Sequence, residues 1–106
     1  MSTRTPEIDI EQFAASRESG VVVDVRERNE YAAGHVPGAR LIPMGQLASR
    51  MGELAPEHPV YVICATGNRS RAMTDLLRAG GFEAASVAGG TTAWARSGRP
   101  IEGGLR

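Results

Sequence analysis

The sequence of 106 residues holds one cysteine, Cys64. An internal disulfide is therefore excluded, and so is a zinc site built on paired cysteines. Thiol–disulfide exchange with an internal resolving thiol is excluded for the same reason. Net charge is also lacking, because basic and acidic side chains number 12 each. Nothing global then draws the chain to nucleic acid or to an anionic membrane, and neither is expected as a partner. No apolar run approaches the roughly 20 residues that cross a bilayer. The opening Met1-Ser2-Thr3-Arg4-Thr5-Pro6 has no apolar stretch of the signal-peptide kind. A lone cysteine without an export segment fits a reducing compartment, so a cytoplasmic location is expected. Repeats, low-complexity tracts and linkers are missing too.

What is present reads as one domain over 1–106, with a core over about 9–97 and a loose tail from Gly98. Apolar residues, at 42%, suffice for one core. Asp9 with Gln12 is a capping box that opens a helix through about Arg17. Val21-Val22-Val23 and Val60-Tyr61-Val62-Ile63 are apolar runs of the kind that form strands buried on both faces. Between them the pattern predicts a short helix over 29–33, a brief strand over 40–42 stopped by Pro43, and a helix over 46–54. After the second strand it predicts a helix over 70–79, a strand over 85–87 and a last helix over 92–96. Strands alternating with helices mean βαβ units, hence an α/β fold with a parallel sheet and helices on both faces. Ligands in such sheets sit beyond the carboxyl ends of the strands. That rule points to the segments after Asp24 and after Ile63.

Cys64 stands at the second of these places, followed by Ala65-Thr66-Gly67-Asn68-Arg69-Ser70. A lone cysteine after an apolar strand is commonly an inert core residue. The turn behind it argues otherwise. A helix start offers free N–H groups and the positive end of a dipole. A glycine-containing strand–loop–helix turn can fold its amides into an anion-binding concavity. Gly67 is expected to supply a backbone angle or a close approach that a side chain would forbid. Arg69 adds a positive charge. Together these features favour thiolate over thiol. Ala65, Thr66 and Asn68 are small, so the sulfur is expected to be accessible.

Four stretches carry a family resemblance. Cys64 through Ser70 resembles the C-x-x-G-x-R-S active loop of the single-domain rhodanese family, the thiosulfate sulfurtransferases. Asp24-Val25-Arg26 resembles its D-x-R segment. Glu30-Tyr31 with Gly34-His35-Val36-Pro37-Gly38-Ala39 resembles its E-[YF]-x-x-G-H-I-P-G-A signature, and Gly89-Gly90-Thr91-Thr92-Ala93-Trp94 its closing G-G-x-x-A-W motif. The matches come in family order and span nearly the whole chain. The resemblance implies a three-layer α/β/α fold around a five-stranded parallel sheet. It also implies sulfurtransferase activity through a persulfide on Cys64, with no metal or organic cofactor. The implied partners are a small sulfur donor such as thiosulfate or a persulfide and a thiol or cyanide acceptor. A protein acting as sulfur donor or acceptor fits as well, and so do two other uses of the fold, a sulfur carrier in a relay and a non-catalytic partner-binding module. The latter class lacks the cysteine that this chain keeps.

The resemblance assigns the amides of Ala65, Thr66, Gly67, Asn68, Arg69 and Ser70 to the anionic sulfur. From Cys64 through Arg69 the loop has six residues, the transferase length, whereas the related phosphatases place arginine one step later, where this chain has Ser70. Arg26 either attracts an anionic donor or is an ion-paired arginine. Asp24 supports the loop or caps its own turn, the second being the favoured role. His35 sits in a turn signature and a preformed thiolate needs no base. His58 is expected in a surface loop, Trp94 as a core anchor, and Glu27 and Glu30 as solvated or helix-dipole charges. Two departures from the two-domain thiosulfate enzymes stand out. Ala65 and Thr66 replace basic residues, and Glu30 stands where those enzymes carry a basic one. Fewer cations weaken capture of a dianion, which favours a persulfide donor over thiosulfate.

Overall fold

The computed structural model describes residues 4–105, so Met1–Thr3 and Arg106 lie outside it. Its five strands form one sheet, paired in parallel throughout: β1 (Glu7–Ile8), β2 (Val21–Asp24), β3 (Arg40–Leu41), β4 (Val60–Ile63) and β5 (Ala84–Val87), in the order β1-β5-β4-β2-β3. The helices are α1 (Ile10–Ser16), α2 (Arg28–Ala33), α3 (Met44–Arg50), α4 (Asn68–Ala79) and α5 (Gly90–Arg96). This is the expected α/β class.

Alternation along the strands builds two cores. Val23, Val60, Val62 and Ala84 pack with Leu47 of α3 and Leu77 of α4 on one face. Val22, Tyr61, Ile63 and Val87 pack with Phe13 of α1, Tyr31 of α2 and Trp94 of α5 on the other. The central strands are thus covered by helices on both faces, which is why β2 and β4 read as continuous apolar runs. Phe13 meets Trp94 edge-on at 5.4 Å, so Trp94 is the core anchor expected of it.

The α1 capping box forms as read: Gln12 donates its amide to Asp9 at 2.8 Å, and Asp9 donates its own to the Gln12 side chain at 2.9 Å. Other boundaries move. α3 begins at Met44 behind Pro43, and α4 begins at Asn68 rather than Ser70. The two-residue strand β1 escapes any pattern, because an edge pair with one side to solvent needs no apolar run.

The tail from Gly98, expected to be loose, is tied down as far as the structure describes it. The Trp94 indole N–H donates to the Pro100 carbonyl at 2.7 Å, His35 and Glu102 exchange backbone bonds of 2.8 and 2.9 Å, and Gly104 donates to the Ala32 carbonyl at 2.8 Å. Main-chain pairing needs no side-chain signature, so the polar, glycine-rich sequence gave no sign of it.

The sheet order decides where a ligand fits. From β2 the chain moves outward to β3, and from β4 it moves outward to β5 on the opposite side. The carboxyl ends of β2 and β4 therefore flank the crevice where connection direction reverses. Asp24 and Cys64 stand there.

Candidate active site

Strand β4 ends at Ile63 and Cys64 follows it directly. The chain then turns tightly through Gly67, whose φ of +112° lies in the region open to glycine. A Cβ at Gly67 would also stand 3.5 Å from the Gly89 amide nitrogen. This turn folds the first amides of α4 back toward the cysteine. Gly67 and Ser70 donate their N–H groups to Cys64 Sγ at 3.1 and 3.3 Å. Ser70 Oγ lies 3.4 Å from the same sulfur. Burial pushes the thiol pKa up. The hydroxyl of Ser70 and the amides of Ser70, Gly67 and Thr66 oppose it, and the net shift is downward. Of the loop amides assigned to the sulfur, those of Gly67 and Ser70 make bonds within range, and that of Thr66 contributes to the lowered pKa.

One expectation about this loop needs correction. Cys64 is only 1% exposed, so small neighbours do not by themselves make its sulfur accessible. The sulfur packs into the apolar cluster of Val23, Val25, Val62 and Leu77 and faces the donors of its own loop. The first turn of α5 braces the main chain of the loop: Thr91 donates its amide to the Cys64 carbonyl at 2.8 Å and Thr92 to the Ala65 carbonyl at 3.0 Å. Gly90 permits this approach, since a Cβ there would fall 2.4 Å from the Cys64 carbonyl oxygen. A hollow of about 390 Å³ opens beside the loop, lined by Arg26, Glu30, Ala65, Thr92, Arg96 and Ile101 among others. A larger hollow of about 720 Å³, beside β3 and the start of α3, includes no residue of the loop.

Two arginines beside the loop, Arg69 and Arg26, are paired, whereas Arg96, exposed on the rim of the hollow, makes no ion pair among the described residues. Arg69 does not contact the sulfur. It donates to both carboxylate oxygens of Glu30 at 2.8 and 2.9 Å. The arginine holds the Glu30 carboxyl down to about 2, with the Glu27 amide, 2.9 Å away, assisting. Glu30, expected as a solvated or helix-dipole charge, stands in the first turn of α2 and is the partner of the loop arginine. Arg26 is held by Asp24 through bonds of 2.8–3.1 Å, and by the Gly34 carbonyl at 2.8 Å. Asp24 also accepts the Arg26 amide at 3.1 Å, which is the turn-capping role. Its hydrogen bonds run to Arg26 and not to the Cys64 loop. Asn68 faces solvent and accepts from Arg71 at 3.2 Å.

His35 is fully buried, stacked 3.7 Å over Tyr31, with Nδ1 at 2.8 Å from the Tyr31 carbonyl. It shapes the turn after α2, and its partners are Tyr31 and Glu102 rather than the Cys64 loop. His58 is exposed. Among the described residues no cluster of three or more metal-ligating side chains occurs, and no helix is long and apolar enough to cross a membrane.

Three site residues escaped sequence reasoning. Glu30 becomes legible only once the fold brings α2 against the Cys64 loop. Gly90 stands in the G-G-x-x-A-W stretch, but the close approach it permits is to a loop distant in sequence. Ser86 stood as a polar residue in the otherwise apolar Ala84–Val87, and that interruption was the signal.

Comparison with known proteins agrees with this fold. A putative sulfur carrier protein of Bacillus subtilis is 38% identical over 74% of this chain and 44% of its own length. A sulfurtransferase of Allochromatium vinosum is 36% identical over 90% of this chain and 92% of its own. The crystal structure of a rhodanese-related protein from Thermoplasma volcanium superposes with a TM-score of 0.88 at 30% identity, covering 95% of this chain and 99% of that one. The family model of the rhodanese-like domain matches residues 9–97, and the chain belongs to that family, whose members include sulfur-transferring proteins.

Proposed function

We propose that the chain is a sulfurtransferase that carries sulfane sulfur on Cys64. The observation that supports this best is the pair of main-chain amides, with the Ser70 hydroxyl, facing a cysteine sulfur at the carboxyl edge of β4. In the first half-reaction the Cys64 thiolate attacks the outer sulfur of a donor. The bond inside the donor breaks, its electron pair leaves with sulfite or a thiolate, and Cys64 becomes a persulfide anion. In the second, a thiolate or cyanide attacks that outer sulfur and the Cys64 thiolate returns. The cycle is two-electron nucleophilic chemistry with ping-pong kinetics. The amides of Gly67 and Ser70 are preorganised donors, so they stabilise charge on the sulfur without rearranging when it is regenerated.

The pairing of Arg69 with Glu30 and of Arg26 with Asp24 leaves these arginines no net positive charge to offer a dianion, so that the exposed Arg96 on the rim is the uncancelled one of the three. Persulfides, small or on a protein, are therefore the preferred donors, and thiosulfate a weaker one. The same feature favours a second reading, a carrier that exchanges sulfur between proteins with little turnover on small molecules. Steady-state turnover with a small thiol acceptor separates the two.

The test is direct. Wild type and Cys64→Ser are incubated with thiosulfate or a low-molecular-weight persulfide, and their intact masses are taken. A one-sulfur adduct is expected on wild type alone, removable by dithiothreitol. An adduct on both proteins, or on neither, rules the reading out.

A further inference from the structure

Ser86 lies at the third position of β5, on the face covered by α4, and is fully buried. Its hydroxyl sits 2.7 Å from the Ser70 hydroxyl, and no other side-chain bond engages it among the described residues. Ser70 Oγ is a three-way junction: besides Ser86 it lies 3.1 Å from the Gly67 carbonyl and 3.4 Å from Cys64 Sγ.

Counting protons orders this junction. A hydroxyl has one hydrogen and two acceptor sites, and a carbonyl only accepts. With Cys64 as a neutral thiol, Ser70 donates to the Gly67 carbonyl and accepts from the thiol and from Ser86. All contacts are then satisfied, provided Ser86 is a donor. When Cys64 ionises, its sulfur can only accept, and the single Ser70 proton turns from the Gly67 carbonyl to the sulfur. The carbonyl keeps the Arg71 amide at 3.3 Å, so it is not orphaned. The Ser70 oxygen keeps the Ser86 proton, which polarises its O–H and strengthens it as a donor.

We propose that Ser86 is a positioning residue for the chemistry of Cys64, acting through Ser70 by filling its oxygen and freeing its one proton to follow the charge on the sulfur. Ser86 touches neither substrate nor sulfur. Its bond to Ser70 links the strand beyond β4 to the active loop. The proposal rests on the reading of Cys64 as the sulfur-accepting nucleophile, but it concerns a property of the free protein that can be measured without any sulfur donor. The alternative is that Ser86 only fills space beneath α4, in which case its hydroxyl is irrelevant to ionisation of the thiol.

The test titrates the Cys64 thiolate by its absorbance near 240 nm and by the pH dependence of alkylation. It compares wild type, Ser86→Ala, Ser70→Ala and the double variant, none exposed to a donor. Ser86→Ala is expected to raise the midpoint, slowing alkylation about 2–5-fold at pH values below it, as for one polarised hydrogen bond weakened rather than lost. Ser70→Ala has the larger effect, and adding Ser86→Ala to it changes nothing further. Ser86→Thr, which keeps the hydroxyl, titrates as wild type. An unchanged midpoint in Ser86→Ala overturns the proposal. So does an equal shift with and without Ser70, or a Ser86→Thr midpoint matching that of alanine. Should Ser86→Ala fail to fold, Ser86→Gly, which also lacks the hydroxyl, carries the test: a raised midpoint is expected, and an unchanged one overturns the proposal. Sulfur loading is followed separately by mass. Absence of loading in wild type, with the Ser86 effect intact, would remove the transferase reading and leave the positioning role standing.

Discussion

Glu30→Gln is the perturbation that bears most directly on donor choice. Glutamine keeps the shape of the side chain and an acceptor for the Glu27 amide, but removes the charge that cancels Arg69. The ion pair is about a third exposed on each side, 32% for Arg69 and 31% for Glu30, so the freed charge acts partly through water. One unit charge at about a Debye length, ~10 Å, contributes roughly 0.4 kcal/mol in water before screening, and more at the lower effective dielectric of a protein surface. Thiosulfate carries two charges, which doubles the figure. A gain of about 0.5–1.5 kcal/mol in capture, or about 2–10-fold in kcat/KM, is therefore expected for thiosulfate. A monoanionic persulfide should gain only about the square root of that factor, since the energy scales with donor charge. The assay measures kcat/KM for both donors with a common acceptor, in low salt and again near 0.5 M. The gain should shrink as salt rises. If thiosulfate gains nothing, gains no more than the monoanion, or keeps its advantage in high salt, the paired charges do not govern donor choice and the reasoning fails.

Two further outcomes follow from the same geometry. Because Arg69 depresses the Glu30 pKa to about 2, its value in the fold lies below that in the unfolded chain, and the stabilisation is complete above pH ~4.5 and lost as pH falls toward 2. Denaturant titrations across that window should show a fall in wild-type stability that is shallower in Glu30→Gln; parallel pH profiles would refute the pairing. Gly90→Ala places a methyl 2.4 and 2.6 Å from the Cys64 and Ala65 carbonyl oxygens at a φ of +58°. Gly81→Ala, at φ +94° with nothing within 4 Å, suffers only the conformational strain, about 1–2 kcal/mol. The first variant should therefore lose at least about 10 °C in Tm and the second distinctly less. Equal losses would mean that the approach of α5 to the loop is not tight.

Local signals were legible and tertiary ones were not. The β4 run reads correctly to the residue because four consecutive apolar side chains in a parallel sheet are covered on both faces. The Cys64 loop reads well because all its parts lie within seven residues, and the angle required of Gly67 is a local demand. What failed depends on elements far apart in the chain. Glu30 and Arg69 are separated by 39 residues, and no pattern at either position indicates the other. Ser86 meets Ser70 only after β5 has docked beside β4. The burial of Cys64 has the same origin: small neighbours suggested an open sulfur, whereas the side chain packs with Val23, Val25 and Leu77, brought to it from distant segments. Accessibility belongs to the assembled surface, while amide geometry belongs to the turn.

Separating these two layers has a consequence for how the site divides its work. The donors that oppose the burial penalty on Cys64 are a hydroxyl and main-chain amides, all dipoles. Dipoles fixed at 3.1–3.4 Å from the sulfur act strongly on it, and their fields fall off quickly with distance. Full charges act further out, and here those of Arg26 and Arg69 are cancelled by Asp24 and Glu30. Ionisation of the nucleophile is thus set inside and attraction of the donor outside. Glu30→Gln should then move kcat/KM for anionic donors in a salt-dependent way. Ser86→Ala should move the pH profile in a salt-independent way. Combined, the two should act additively within about 0.3–0.5 kcal/mol, as for sites without shared partners. A larger coupling would mean that the freed Arg69 reaches the sulfur itself, and that one set of charges governs both ionisation and capture.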